Sequence, residues 1–249
     1  MATQSETRDR GLTNGSAADF DRWRQSTRVF LQPIAAPSIL GLFGFAAATF
    51  MVSTNIAGWY GSPTSSPIFL FPFAAIFGGV AQFAAGLWAY RARDGLATAM
   101  HGMWGSFWVA YGILWLLVAT HDITLPTGKF PELAFWFFPL AAITFSGAVA
   151  SVGQNLGLTA TLTSLGAGSA LLAIGYLIGG SAWLHTGGWV LFASSVCAFY
   201  TASAMMWKSS FGRVVLPLGE PKVDANIPGR DFTHPIEYAH GEPGVRQGQ

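Results

Sequence analysis

The chain has 249 residues, of which 51% are hydrophobic and 10% charged, with a formal net charge of +1. Its 13 basic and 12 acidic residues all lie outside three stretches, 29–90, 95–121 and 133–207, which run 62, 27 and 75 residues without a charge. Soluble folds keep a charged face along their elements, whereas a lone charge at mid-bilayer costs several kcal/mol, so the pattern excludes a water-soluble domain. No basic cluster interleaved with aromatics argues for nucleic acid. The single Cys197 lies in an apolar stretch, which argues against a disulfide framework or a metal site.

Residues 1–33 are polar and carry five arginines without an apolar core, so they read as a flexible segment and not as a cleavable signal. A helix needs about 20 mainly apolar residues to cross the hydrocarbon. The charge-free stretches divide at turn-formers into six such spans, expected at 38–56, 68–90, 96–120, 134–152, 158–178 and 187–207. Each is too long for a barrel strand of about 10 residues and none alternates with period two. The expectation is an all-α bundle of six transmembrane helices over 34–220, followed by a polar flexible tail, 221–249. Arginines in the N-terminal segment and at 91 and 93, with none in the 1–2 or 5–6 loops, place both termini in the cytoplasm and the protein in the inner (plasma) membrane as a multi-pass chain.

Along the spans, Pro37 suits the first turn of a helix, where its missing N–H is not needed. The N–H groups of Ser38, Ile39 and Leu40, with Gly41 behind them, would then face off a positive dipole end. Two readings stay open there: a carboxylate binds, or Pro37 merely starts the helix and Ser38 or water satisfies the donors. In the second span Gln82 is the most polar side chain and either bridges helices, the commoner outcome, or binds substrate; around it Gly78, Gly79, Ala81, Ala85 and Gly86 form a small-residue face suited to packing or to an oligomer interface. Trp104, Trp108, Tyr111 and Trp115 share one face of the third span. For Trp108 to Trp115 the preferred reading is lipid-facing or helix-packing, with the outer rings in the interfacial belt. Hydroxyls at Thr49, Ser53 and Ser169 suit either a path for a small ion or interhelical hydrogen bonds. His101, His121 and His185 lie at span ends and are the candidates for proton linkage, since no span holds an acid. The sequence shows no phosphate-binding loop, metal-ligand spacing, Ser–His–Asp set or paired carboxylates, so it points to no enzyme and no cofactor.

Four ordered blocks then carry a resemblance. They are 37–45 (Pro-Ser-Ile-Leu-Gly-Leu-Phe-Gly-Phe), 78–82 through Gly86, 104–108 (Trp-Gly-Ser-Phe-Trp) and 211–220 (Phe-Gly-Arg-Val-Val-Leu-Pro-Leu-Gly-Glu), with 171–175 adding to them. Together these resemble the acetate uptake transporter family, whose best-described members are succinate–acetate permeases. The resemblance implies a six-helix protomer with its own pore, assembled as a homo-hexamer in the bilayer, passing acetate or a similar short carboxylate as a channel or a proton symporter. It favours carboxylate binding at 37–41. It also implies a hydrophobic constriction at Phe45, Trp104 and Leu165, with Ala198 as the neighbouring position on the sixth helix. The chain departs from the family pattern at Ala36 and Ile39, where the family has Asn and Pro, and at Trp104, where it has Tyr. Tyr176 and Ala89 stand where it has Asn and Glu. Two other functions are carried alongside: passage of a neutral solute such as ammonia, and a membrane scaffold or sensor whose tails bind cytosolic partners.

Overall fold

The computed structural model describes residues 34–62 and 65–222, and the polar segments expected at 1–33 and 221–249 fall almost wholly outside them. Six helices long and apolar enough to cross a membrane make up the described chain, and no strand occurs among the described residues. They are α1 (Pro37–Ile56), α2 (Ser66–Arg91), α3 (Gly95–Ala119), α4 (Pro131–Ser151), α5 (Leu156–Ile178) and α6 (Ser181–Phe211). The described residues from 36 to 222 belong to one compact unit.

Local chemistry sets the ends. Pro37, Pro67 and Pro131 each occupy a first-turn position, where the lost N–H costs nothing. The Asp94 carboxylate accepts from the Ala97 N–H at 2.9 Å to start α3, and the Asn155 side chain accepts from the Leu158 N–H at 2.8 Å to start α5. Gly179 closes α5 at φ 74°, a left-handed conformation that a residue without Cβ adopts at no steric cost. Gly180 is already the N-cap of the next helix, so α6 begins six residues before the expected start at Gly187 and runs 31 residues. His185, expected ahead of the sixth span, therefore sits inside α6. The string 211–220 folds back under the α4–α5 turn. Its Gly219 and Leu218 carbonyls accept from the Leu156 and Gly157 N–H groups, donors that α5 itself cannot pair, and Tyr200 O–H donates to the Pro217 carbonyl at 2.8 Å.

α5 packs along α4 and α6, α6 along α1, and α2 along both α1 and α3. Among the described residues α5 makes no close backbone approach to α1 or α3, so side chains alone fill the space between these three helices. The small-residue face of α2 is spent inside the protomer. A methyl built on Gly86 would lie 2.7 Å from the Gly102 nitrogen on α3, and one on Gly78 would lie 2.6 Å from Ala48 and 2.7 Å from Trp108. That corrects the alternative of an oligomer interface at these glycines: packing against α1 and α3 uses them. Between Ala74 and Ala81 the helix widens to a π-helical run, and Gly44 on α1 leaves room for the Phe77 carbonyl there. The opposite face of α2 turns Phe69, Phe73, Ile76, Phe77, Val80 and Leu87 outward.

Candidate functional site: two cavities either side of an aromatic partition

α1, α3 and α5 run in the same direction, and their residues meet in register around the central space. At mid-depth Phe45, Trp104 and Leu165 come together, each no more than 3% exposed. The Phe45 and Trp104 rings meet edge to face with centroids 6.4 Å apart. The Trp104 indole is fixed, since its Nε1–H donates to Thr144 Oγ1 on α4 at 3.0 Å and Thr144 passes its own proton to the Leu140 carbonyl at 2.6 Å. Nothing in the sequence singled out Thr144, because a hydroxyl 40 positions away has no periodic relation to Trp104. Ala198, by contrast, is fully buried on α6 but borders neither cavity described below.

A cavity of about 30 Å³ lies on each side of this partition, room for a water or two. The cavity toward the N-terminal ends of α1, α3 and α5, here named the inner cavity, is bordered by Ser38, Gln82, His101, Gln154 and Thr161, and otherwise by Leu, Met and Ala side chains together with the partition residues. The outer cavity is walled by Phe107, Trp108, Tyr111, Phe137 and Tyr176, with Thr49 and Ser53 from α1. Trp104 and Leu165 border both cavities, and Phe45 borders the inner one. The positions flanking the partition therefore run Ser38–Phe45–Thr49 on α1, His101–Trp104–Tyr111 on α3 and Leu158–Leu165–Tyr176 on α5.

The aromatic stripe of α3 thus faces inward. Trp108 and Trp115 are buried, and Trp108 and Tyr111 wall the outer cavity, which corrects the lipid-facing alternative. An α3 turned this way packs Phe107 against Phe137 at 5.4 Å, Phe137 in turn stacking on Tyr176 at 6.0 Å, and leaves Ile113, Leu116 and Leu117 outside. Gln82 is likewise not a helix bridge through its carbonyl: Oε1 is buried without a partner at the inner cavity. Of the six buried side-chain polar atoms lacking a partner among the described residues, four border the cavities: Gln82 Oε1 and His101 Nδ1 at the inner one, Thr49 Oγ1 and Trp108 Nε1 at the outer one. Such atoms are rare in a packed interior, and their gathering marks these spaces as wettable.

The three histidines part company. His101 is buried on the inner cavity, while His121 and His185 are exposed at helix ends and border neither cavity. At the start of α1 the geometry is tighter than expected, because the Ile39 N–H is spent on the Ala36 carbonyl at 3.1 Å and Leu40 is half exposed. Of residues 37–41, only Ser38 borders the inner cavity. Beyond that cavity, Gln154 Nε2 donates to Asp94 Oδ1 at 3.4 Å, joining the α2–α3 and α4–α5 turns. Burial pushes the Asp94 carboxyl above the usual carboxylate range, against the opposing hydrogen bonds from Ala97, Gln154 and Leu96. No group of three or more potential metal ligands occurs among the described residues.

Comparison with known proteins agrees with this arrangement. The solved structure of the bacterial acetate channel SatP superposes with a TM-score of 0.68 at 27% identity, covering 75% of this chain and all (100%) of that one. The succinate-acetate/proton symporter SatP of Escherichia coli (strain K12) is 29% identical over 190 residues, 75% of this chain and 96% of that protein. More distantly, the ammonia transport outward protein 3 of Saccharomyces cerevisiae is 28% identical over 174 residues, 67% of this chain and 61% of that protein. The pattern of the GPR1/FUN34/yaaH family matches residues 24–219, and the chain belongs to that family.

Proposed function

We propose that the protein carries acetate, or a similarly short carboxylate, across the membrane through a path within each protomer, as a channel or as a proton-coupled symporter. The observation that carries this reading is the pair of in-line cavities separated by Phe45, Trp104 and Leu165, in a chain whose solved relative is an acetate channel. An apolar partition of this kind holds back a hydrated ion by excluding water, and passage needs the rings to part or the ion to shed its shell. Mixed walls suit a solute with one charged and one methyl end. Uptake of labelled acetate into proteoliposomes, above the background of protein-free vesicles, tests the proposal, and its absence overturns it.

The yeast relatives favour a second reading, passage of ammonia or its kin, and labelled methylammonium in the same vesicles separates the two. No residue set among those described supports catalysis, and the family is one of transporters. Assembly as a homo-hexamer is part of the proposal and rests on the family resemblance. Native mass spectrometry in mild detergent checks it, a stable monomer being the contrary result. Both termini in the cytoplasm of a cell with this protein in its plasma membrane is likewise proposed. A cysteine at Ser65 should react from outside and one at Gly95 only after permeabilisation. Gly95 is exposed and suits a label, whereas the neighbouring Asp94 is buried.

A further inference from the structure

We infer that His101, with Gln82, forms a subsite in the inner cavity that takes a short carboxylate together with one proton. The inference rests on the reading of the protein as a carboxylate transporter and adds to it a binding residue and a stoichiometry. His101 is 5% exposed and Gln82 2%, and both border the same cavity. His101 Nδ1 and Gln82 Oε1 have no protein partner, so each atom is left for water or a ligand. The imidazole has little freedom to look elsewhere. Its Cγ, Nδ1 and Cε1 atoms pack against α1 where Gly41 has no side chain, and a methyl built on Gly41 would sit 2.5 Å from Nδ1 and Cε1.

The chemistry of the two groups fixes what they accept. A carboxylate only accepts hydrogen bonds, so it gains from His101 when the ring donates, and most when both ring nitrogens carry protons. Gln82 Oε1, as the structure places it, is an acceptor without a partner and is satisfied by a proton donor such as a carboxyl O–H, while the amide's Nε2 can donate to the solute. The set is complete with a carboxyl group plus one proton: imidazolium and carboxylate, or neutral imidazole and carboxylic acid whose hydroxyl donates to Gln82. No bond is broken; the proton enters from solution with the solute and leaves with it. No other side chain bordering the cavity titrates, whether from α1, α2, α4 or α5. Asp94, two turns back along α3, does not border the cavity and is joined to its wall through Gln154 and the Ala97 N–H. By linkage, an acetate that binds the protonated ring more tightly must raise the ring's proton affinity by the same factor.

The test uses the full chain in nanodiscs with isotope-labelled histidine, the His101 signal among the five being identified by its loss in His101→Phe or, should that variant not fold, His101→Gln. The probe is acetate, with acetamide as the uncharged control. Acetate should raise the His101 titration midpoint by about one pH unit, equivalent to about tenfold tighter binding to the protonated ring, and acetamide should leave it in place. A midpoint indifferent to acetate overturns the subsite. In proteoliposomes the wild type should carry acetate faster as pH falls, and the folded His101 variant should lose most of that rise. Wild-type transport with an unchanged pH profile in the variant overturns the subsite alone, whereas no acetate transport by the wild type overturns the underlying reading.

Discussion

The two cavities have equal volume and opposite character. The inner one sets amide, imidazole and hydroxyl groups among mainly aliphatic side chains, while the outer one gathers five aromatic rings beyond Trp104, with hydroxyls from Thr49, Ser53, Tyr111 and Tyr176. Both keep polar atoms without partners, but the inner atoms belong to Gln82 and His101, which offer charge or strong acceptor character, and the outer ones to Thr49 and Trp108, which are weak and neutral. A solute crossing between them meets its strongest polar partners on one side of Trp104 and mostly π faces on the other. The difference teaches that the partition is more than a narrow place: it separates two solvents.

Removing the partition should have the largest effect. Trp104→Ala takes away the ring that borders both cavities, so water should bridge them, acetate flux should rise several-fold and the acetate-to-succinate ratio should fall. Paired uptake assays measure both. If the ring were only packing, truncation would cost about 3–5 kcal/mol and lower folded yield and flux together. Folded Trp104→Ala protein with an unchanged rate and ratio would sink the pore assignment.

Next comes the anchor of that ring. Thr144→Val keeps the shape but strips the acceptor from Trp104 Nε1, leaving a buried donor unpaired at a cost of about 1–3 kcal/mol. Melting in detergent should fall accordingly, and selectivity should shift in the direction of Trp104→Ala by a smaller factor. Lost stability with fixed selectivity would show that the hydrogen bond serves the fold and not the partition.

A smaller effect probes the outer cavity. Thr49→Val removes a hydroxyl that has no partner, so stability should hold or improve by up to about 1 kcal/mol, while acetate flux falls about twofold as the outer wall dries. A loss of stability here would mean that the hydroxyl is satisfied by something the protein retains.

The smallest effect lies at the inner rim. Burial raises the Asp94 pKa, so the folded state favours the protonated acid; its contribution to stability is fully present below the unfolded pKa and is lost as pH rises through the folded value. Asp94→Asn keeps a good N-cap and removes the charge, so melting temperatures measured from acid to neutral pH should lose that decline. An unchanged decline would place its origin elsewhere.

How far the sequence reached differs between fold and site. Three charge-free stretches sufficed for six spans, because hydrocarbon forbids isolated charge and unpaired backbone at every point along a crossing helix. The family resemblance implies Phe45, Trp104 and Leu165 as one constriction, and these three side chains border a common cavity. Which face of each helix points inward was decided only by tertiary structure. In water an apolar stripe marks the core, but in lipid a helix is apolar all round, so periodicity does not separate lining from lipid contact. The α3 tryptophans, the partnerless Gln82 carbonyl and the glycines of α2 were each ambiguous for this reason. The Trp104–Thr144 bond, the folding of 211–220 under α5 and the division of the histidines into one buried and two exposed depend on how helices distant in sequence pack. No local pattern encodes such contacts, because each is a property of two surfaces and the sequence spells out only one at a time.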